Sequence, residues 1–133
     1  MPIKVLEGDH LPTPYSHYSP GMVAGDFVFV AGQVGVDPDT GAVVADDIGT
    51  QTRRALWNIE LILKDADCSL TDICRVFVYL RDLDDYAEMN KAYFEIMKKP
   101  FPPRSAVYVG MPDNLKVQIE VFAYKPRAGS GNG

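Results

Sequence analysis

The sequence predicts an α+β protein with the element order β-β-β-α-β-α-β-β, in which one sheet carries two helices on one of its faces. Three observations support this prediction. Short runs of β-branched and aromatic residues indicate strands, and two longer segments repeat apolar residues every three or four positions, as helices do. These helical segments also alternate with strands, and right-handed crossovers between such strands place both helices on the same side.

The first clear strand signal is the β-branched and aromatic run from Phe27 to Ala31. We expect this strand to end at Gly32, where the missing side chain indicates a close approach of the backbone to another group. The Asp-Pro-Asp-Thr-Gly run at residues 37–41 is typical of a turn, because proline fixes φ and glycine accepts positive φ. A hairpin is therefore expected in this region.

The first helix is predicted over residues 48–66, and the second is predicted to begin at Asp84. Either Asp46 or Asp47 can cap the first helix, and a group of prolines at positions 100, 102 and 103 ends the second. The apolar stripe of the first helix consists of Ile48, Ala55, Leu56, Ile59, Ile62, Leu63 and Ala66. The stripe of the second consists of Tyr86, Met89, Tyr93, Ile96 and Met97. Trp57 and the methionines at helical spacing are also assigned to the core.

Three further strands are predicted over residues 73–80, 105–109 and 117–124, and alternation gives each of them two different faces. The aliphatic face of the last strand consists of Val117, Ile119, Val121 and Ala123. In residues 73–80, Cys74, Val76, Val78 and Leu80 alternate with Ile73, Arg75, Phe77 and Tyr79. The aromatic side chains expected to point away from the helices are Phe77, Tyr79, Tyr108, Phe122 and Tyr124.

Two helices cannot cover both faces of the sheet, so this aromatic face would be exposed in a single subunit. Large exposed apolar patches are typical of interfaces, and we therefore expect the chain to self-associate. The alternative is that long loops and the N-terminal segment cover the patch.

Composition favours one domain, because 47% of the 133 residues are hydrophobic and can build a single core; we place it at residues 1–126. The small and polar residues 127–133 are expected to form a disordered tail. Thirteen Lys and Arg against 18 Asp and Glu give a net charge of −5, which disfavours nucleic acid as a partner. No leader or membrane-spanning run is recognisable, so we expect a cytoplasmic protein with reduced cysteines and no membrane partner.

Arg104 and Glu120 are the two candidates for chemistry. Alternation is expected to place both on the aromatic face opposite the helices, with Arg104 beside Ala106 and Tyr108. Buried charges need partners, so the two side chains could form an ion pair with each other or across a subunit interface. Alternatively, Arg104 could bind a substrate carboxylate through its planar fork while Glu120 moves a proton. The pattern alone leaves both interpretations open.

Five short blocks of the sequence resemble, in order, signature blocks of the RidA/YjgF family. They are Pro14-Tyr-Ser16, Val28-Phe-Val-Ala-Gly-Gln33 with Asp37-Pro-Asp-Thr-Gly41, Asp82-Leu-Asp-Asp-Tyr86 with Met89-Asn90, Phe101-Pro-Pro-Arg-Ser105, and Gln118-Ile-Glu-Val-Phe-Ala123. The resemblance extends from about Pro14 to Lys125. It implies a chorismate-mutase-like α+β fold and a homotrimer with clefts between its subunits.

The resemblance also implies hydrolytic deamination of reactive enamines and imines, such as 2-aminoacrylate, to 2-keto acids and ammonia, with no cofactor. By correspondence with the family's motifs, Arg104 binds the carboxylate of a small imino or enamino acid, and Glu120 positions or activates water. Tyr15, Gly32 and Asn90 match residues of the family's pocket. No metal site is expected, because His10 and His17 are too few to form one, although His17 could reach the cleft.

Two segments beside the expected cleft depart from the family's pattern, since residues 17–22 are longer and residues 98–103 are shorter. In addition, Ala106 stands where many bacterial members have a reactive cysteine. The altered segments leave open a deaminase of a larger unsaturated amine, of the aminomuconate type. A ligand-binding or chaperone-like member without turnover is a further alternative, and the acidic composition disfavours a ribonuclease.

Overall fold

The computed structural model describes residues 3–112 and 114–126, which form a six-stranded sheet and two α-helices. The strands and helices are β1 (Ile3–Leu6), β2 (Gly21–Ala24), β3 (Phe27–Val34), α1 (Ile48–Lys64), β4 (Ile73–Leu80), α2 (Tyr86–Ile96), β5 (Arg104–Tyr108) and β6 (Val117–Tyr124). The predicted order β-β-β-α-β-α-β-β is confirmed. The expected tail at residues 127–133 lies outside the described residues.

The strand order across the sheet is β1-β2-β3-β6-β4-β5. The last strand in the chain, β6, therefore lies in the middle of the sheet, between β3 and β4, and pairs with both in antiparallel register. Among the described strands, only β4 and β5 pair in parallel, and α2 forms the crossover that a parallel pair requires. The middle position of β6 makes its two faces the centres of the two sides of the sheet.

Both helices lie on one side of the sheet, as predicted. The α1 helix packs across β3 and β6 and against α2. Its start is capped by Asp47, whose carboxylate accepts a hydrogen bond of 2.8 Å from the Thr50 N–H. The aliphatic face of β6 is fully buried against the helices, together with Leu56 and Ile59 of α1 and Met89 of α2. Neither helix of the described chain combines the length and apolar character needed to cross a lipid bilayer.

The helix boundaries and one core assignment differ from the prediction. The α1 helix ends at Lys64, and α2 begins at Tyr86, after a 3-10 turn at Leu83–Asp85. Trp57 was assigned to the core, and this is wrong: its side chain is 44% exposed on the outer side of α1, where the Arg54 guanidinium stacks on it. Trp57 directly follows Leu56, so about 100° of helical rotation carries it away from the buried stripe.

Two bulges change the predicted alternation. In β4 the register shifts between Ile73 and Arg75, so Ile73 joins the core and Cys74 is exposed, the reverse of the prediction for these two residues. In β3 a shift between Val30 and Gln33 lets the strand continue to Val34, although we expected it to end at Gly32. A bulge adds a residue without a sequence signal as strong as alternation, which is why both were missed.

The predicted hairpin is present beyond β3. Val36 and Val43 form an isolated bridge, and the turn between them is closed by a 2.8 Å hydrogen bond from the Gly41 N–H to the Asp37 carbonyl. Gly41 adopts a φ of 74°, as the turn requires. At the base of the hairpin, a Cβ on Gly35 would lie only 2.7 Å from the Cα of Gln51 in α1. The hairpin base is thus pressed against the helix.

The face of the sheet away from the helices carries a continuous row of aromatic rings across three strands, which we call the open face. Three of its contacts are edge-to-face at centroid distances of 5.0 to 5.4 Å, and the stacked pair Phe27–Phe29 at 6.3 Å joins them into one row. The rings are Phe27, Tyr124, Phe29, Phe122 and Phe77. Phe27, Phe29 and Tyr124 of this row are exposed, and the Arg75 guanidinium lies over the ring of Phe77. The exposed aromatic face was predicted, but Tyr108 does not belong to it.

Two buried polar side chains of α1 fasten the loops to the helix. The amide of Gln51 donates hydrogen bonds of 2.8 Å to the carbonyls of Ala45 and Asn114, and its oxygen accepts one of 2.9 Å from the Lys116 N–H. Asn58 donates in the same way to the carbonyls of Val34 and Val36. These bonds satisfy backbone groups that strand pairing does not reach.

We expect Gln51→Leu to lower the free energy of unfolding by about 2–4 kcal/mol, because it leaves several backbone groups without partners at a buried site. Urea denaturation, monitored by circular dichroism at one fixed protein concentration, measures the change. Glu60→Gln on the exposed side of α1 is the control and should change stability by less than about 0.5 kcal/mol. Equal stability of the two variants would show that the Gln51 bonds contribute little.

Candidate functional site

Arg104 begins β5 and lies on the helix side of the sheet, which corrects the predicted placement. The register pairs Arg104 with Val76, a core residue, so both side chains point toward the helices. The next residue, Ser105, faces the other way, where its hydroxyl accepts a 2.6 Å hydrogen bond from Arg75. By the same alternation, Tyr108 lies on the same side of the sheet as Arg104. Because β5 is an edge strand with exposed apolar residues on both sides, apolar character could not identify its core face.

The guanidinium of Arg104 is held among three aromatic rings of α2. Its central carbon lies 4.8 Å from the ring centroid of Tyr93, 5.7 Å from that of Phe94 and 5.9 Å from that of Tyr86. Nη2 donates a 3.0 Å hydrogen bond to the Tyr86 hydroxyl. Nη1 is buried and has no hydrogen-bond partner within the described part of the chain. This nitrogen is therefore enclosed by the protein and is not open to solvent.

Asn90 belongs to the same cluster, one helical turn after Tyr86. A hydrogen bond from Asn90 and the nearby Arg104 charge lower the pKa of the Tyr86 hydroxyl. Burial raises the pKa of Tyr93, whose side chain is only 1% exposed. Among residues 3–112 and 114–126, Asn90 Oδ1 is buried without a hydrogen-bond partner. The Tyr93 hydroxyl is also buried, and the Arg104 guanidinium lies beside it. We call Arg104, Tyr86, Asn90 and Tyr93 the arginine cluster.

Glu120 lies on the open face, as predicted, in the middle of β6 and opposite Phe77 of β4. Its Oε1 accepts a 3.1 Å hydrogen bond from the hydroxyl of Tyr79. Burial and the bond to Glu120 raise the pKa of Tyr79. Of the ion pairs formed by the described residues, none includes Arg104 or Glu120, so the two do not pair with each other within one chain.

A cavity of about 380 Å³ lies where the bulged end of β3 meets the hairpin and the N-terminal segment. Its walls include Tyr15, Tyr18, Gly32 and Asn58, together with the hairpin turn. At Gly32 a side chain has no room, since a Cβ would overlap the amide end of Gln118 and come within 2.7 Å of its Cδ. The predicted close approach at Gly32 is confirmed.

The five predicted site residues thus fall into three groups. Tyr15 and Gly32 line the cavity, Arg104 and Asn90 share the arginine cluster, and Glu120 lies across the sheet from Arg104. The sheet therefore keeps Arg104 apart from Glu120 within one chain.

The histidines do not join these groups. His10 bonds to Asp65 at 2.8 Å, and His17 is exposed and absent from the cavity walls. The described residues contain no cluster of His, Cys, Asp or Glu suited to a metal ion.

Three contacts at these groups were missed in the sequence. Tyr86 was assigned only to the apolar stripe of α2, although its spacing of four residues from Asn90 could have suggested a shared role. Tyr79 was placed on the correct face, but its diagonal contact with Glu120 depends on the register between β4 and β6. Asn58 gave no signal, because a buried asparagine in a helical stripe resembles an ordinary polar position.

The fold described above is that of a known class of small α+β proteins. The family model described as endoribonuclease L-PSP matches residues 8–125. The crystal structure of RidA from the Antarctic bacterium Psychrobacter superposes with a TM-score of 0.86 at 31% identity, covering 92% of this chain and 99% of that one.

Curated relatives agree with this class. A RutC family protein of Pyrococcus abyssi is 42% identical, covering 94% of this chain and 99% of its own length. A 2-iminobutanoate/2-iminopropanoate deaminase of Salmonella typhimurium is 35% identical, covering 92% and 98% respectively. The chain therefore belongs to the RidA/YjgF family, as its signature blocks predicted.

We expect Tyr86 to ionise at a lower pH than a free tyrosine, because the Asn90 bond and the Arg104 charge both favour the phenolate. Subtracting the alkaline absorbance titration of Tyr86→Phe from that of wild type isolates its transition. The midpoint should lie below about 10, the ordinary tyrosine value. Repeating the subtraction in an Arg104→Gln background should move the midpoint upward; an unmoved midpoint would contradict the contact. Tyr79→Phe, subtracted in the same way, should give a midpoint above the ordinary value.

Proposed function

We propose that this protein hydrolyses imines and enamines of small 2-amino acids, including 2-aminoacrylate, to 2-keto acids and ammonia. The observation that carries the proposal is the half-buried Arg104 guanidinium, held by the Tyr86 hydroxyl and the aromatic rings of α2 at a position that matches the family's carboxylate-binding arginine. A relative 35% identical along nearly the whole chain is named as a deaminase of 2-iminobutanoate and 2-iminopropanoate. Both of these compounds are small imino acids with a carboxylate.

The chemistry asks little of the protein beyond placement and proton transfer. Arg104 binds the carboxylate, with Asn90 beside it, and fixes the imine relative to water. Water then adds to the imine carbon, forming the C–O bond as the nitrogen gains a proton. Collapse of this carbinolamine breaks the C–N bond and releases ammonia and the 2-keto acid. Glu120 is the general acid or base for these proton transfers, oriented by the Tyr79 hydroxyl.

We further propose that the working site is completed in a homotrimer, where a neighbouring subunit brings Glu120 or the Tyr15 and Gly32 cavity to the arginine cluster. Two observations support assembly. Arg104 and Glu120 lie on opposite sides of the sheet within one chain, and the open face leaves exposed aromatic rings. Burial of that face on other copies would protect it from water and bring side chains of two chains together.

Light scattering on the purified protein should give the mass of three chains at micromolar concentration. Phe29→Glu, which places a charge among the rings of the open face, should lower the mass to that of one chain. Leu83→Glu, at an exposed position before α2, is the control and should leave the mass unchanged. A monomeric wild-type protein would contradict both the assembly and the shared site.

Wild type should release ammonia from 2-aminoacrylate generated in situ faster than the uncatalysed reaction. Arg104→Lys should lower kcat/KM by at least about tenfold, because lysine lacks the planar fork for a carboxylate. Glu120→Gln should lower kcat by about 10²-fold while leaving pyruvate binding, measured by calorimetry, near the wild-type value. Glu60→Gln is the matched control for Glu120.

The outcomes separate the two roles. Ammonia release no faster than in buffer would overturn the proposed function. Equal loss of binding and turnover in Glu120→Gln would instead make Glu120 a structural partner of the site.

A further inference from the structure

The bulge in β3 brings one wall of the 380 Å³ cavity next to Glu120 in the same chain. The register between β3 and β6 shifts at this point, so two residues of β3, Ala31 and Gly32, lie opposite the single residue Glu120. Opposite residues of paired strands are about 5 Å apart between their Cα atoms. Gly32 belongs to the cavity wall and packs against the side chain of Gln118, which lies on the open face with Glu120. The cavity therefore begins one strand away from the proposed proton-transfer group.

The walls of the cavity are mostly uncharged. Four prolines, two valines and the rings of Tyr15 and Tyr18 form their apolar part. Asp37 and Asp39, both in the hairpin tip, are the charged residues of the wall, and the described residues contribute no Lys, Arg or His to it. The volume lies in the usual range of small-molecule sites, so there is room for a side chain larger than that of 2-aminoacrylate.

The two aspartates of the tip are held in place by the turn, and a nearby arginine is engaged elsewhere. Asp37 Oδ1 accepts a 2.8 Å hydrogen bond from the Asp39 N–H, and Asp39 itself is exposed. Arg54 shares a separate depression with both aspartates and does not line the cavity. Its Nε donates a 3.0 Å hydrogen bond to Asn58 Oδ1, and its guanidinium stacks on Trp57. The cavity wall thus carries two negative charges.

From this charge distribution we infer that the cavity receives the side chain of the substrate, and that Asp39 is a specificity residue that disfavours side chains with a second carboxylate. The inference rests on the proposed function, in which Arg104 binds the substrate's own carboxylate and Glu120 acts at the imine. The side chain then extends past Gly32 into the cavity. The apolar walls accept a neutral side chain, whereas the aspartates repel an anionic one. A dicarboxylate of the aminomuconate type is therefore a poor substrate.

Two 2-keto acids that differ in the end of the side chain test this selection by calorimetry. Wild type should bind 4-methyl-2-oxopentanoate at least about tenfold more tightly than 2-oxoglutarate, which carries the second carboxylate. Asp39→Asn should reduce this ratio, and Asp39→Lys should reduce it further, to about a tenth of the wild-type ratio, since lysine replaces repulsion by attraction. Affinity for the neutral acid should stay within about twofold. The kcat/KM values for the imines of leucine and glutamate, generated in situ, should follow the same order.

Glu60→Gln is the matched control, because it removes one negative charge from an exposed position of α1 outside the cavity. It should leave the ratio of the two affinities unchanged. An equal change in Glu60→Gln and Asp39→Asn would assign the effect to net charge and overturn the inference. Added salt should narrow the wild-type ratio, because it screens the repulsion. Circular dichroism and light scattering establish that each variant keeps the fold and assembly of wild type, and Asp39→Asn alone decides the outcome if Asp39→Lys does not fold.

Failure of this inference and failure of the proposed function give different results. If wild type binds the 2-keto acids but releases no ammonia, the deaminase proposal fails, and the ratios of affinities still decide the role of Asp39. If wild type binds 2-oxoglutarate as tightly as the neutral acid, or if Asp39→Asn leaves the ratio unchanged, the role of Asp39 is overturned whatever the ammonia assay shows. Absence of binding of both acids by wild type would overturn both proposals.

Discussion

The two sides of β6 organise this molecule. Because β6 lies between β3 and β4, its aliphatic side chains form the centre of the core, and its remaining side chains form the centre of the opposite face. Both helices pack on the aliphatic side of the sheet, so the aromatic rings of the opposite side stay exposed. Glu120 lies among these rings. Arg104, at the edge strand, is turned toward the helices instead. The separation of the two charged side chains by the sheet follows directly from this arrangement.

The alternation of apolar and polar residues predicted the two faces of the central strands better than those of the edge strand. In β6, and in β4 beyond its bulge, one face is fully buried, so apolar and polar residues alternate regularly and the faces were predicted correctly. In β5 both faces are partly exposed, and the aromatic Tyr108 suggested the wrong side for Arg104. Pattern analysis also missed the bulges at Cys74 and near Gly32 and the exposure of Trp57. In each case a single residue departs from the periodicity, while the rest of the strand or helix keeps it.

For the candidate site, individual residues could be identified from the sequence, but the residues that contact them in the fold could not. The signature blocks singled out Arg104, Glu120, Tyr15, Gly32 and Asn90, and the structure shows which of these lie together. Their partners come from other elements: Tyr86 from the start of α2, Tyr79 from a neighbouring strand. Such contacts depend on strand register and helix placement, which are set by packing of the whole chain and have no local signature.

In the hairpin beyond β3, the contacts that stabilise the fold are separate from those that shape the cavity. Its base is pressed against α1 at Gly35 and tied by Asn58, while its tip at residues 37–41 forms a wall of the cavity and makes no part of the core. Substitutions at the tip, other than at Gly41 with its positive φ, would reshape the cavity while leaving the core contacts unchanged. The shape of the cavity can therefore change during evolution by variation of this short segment, without first accumulating compensating changes in the interior.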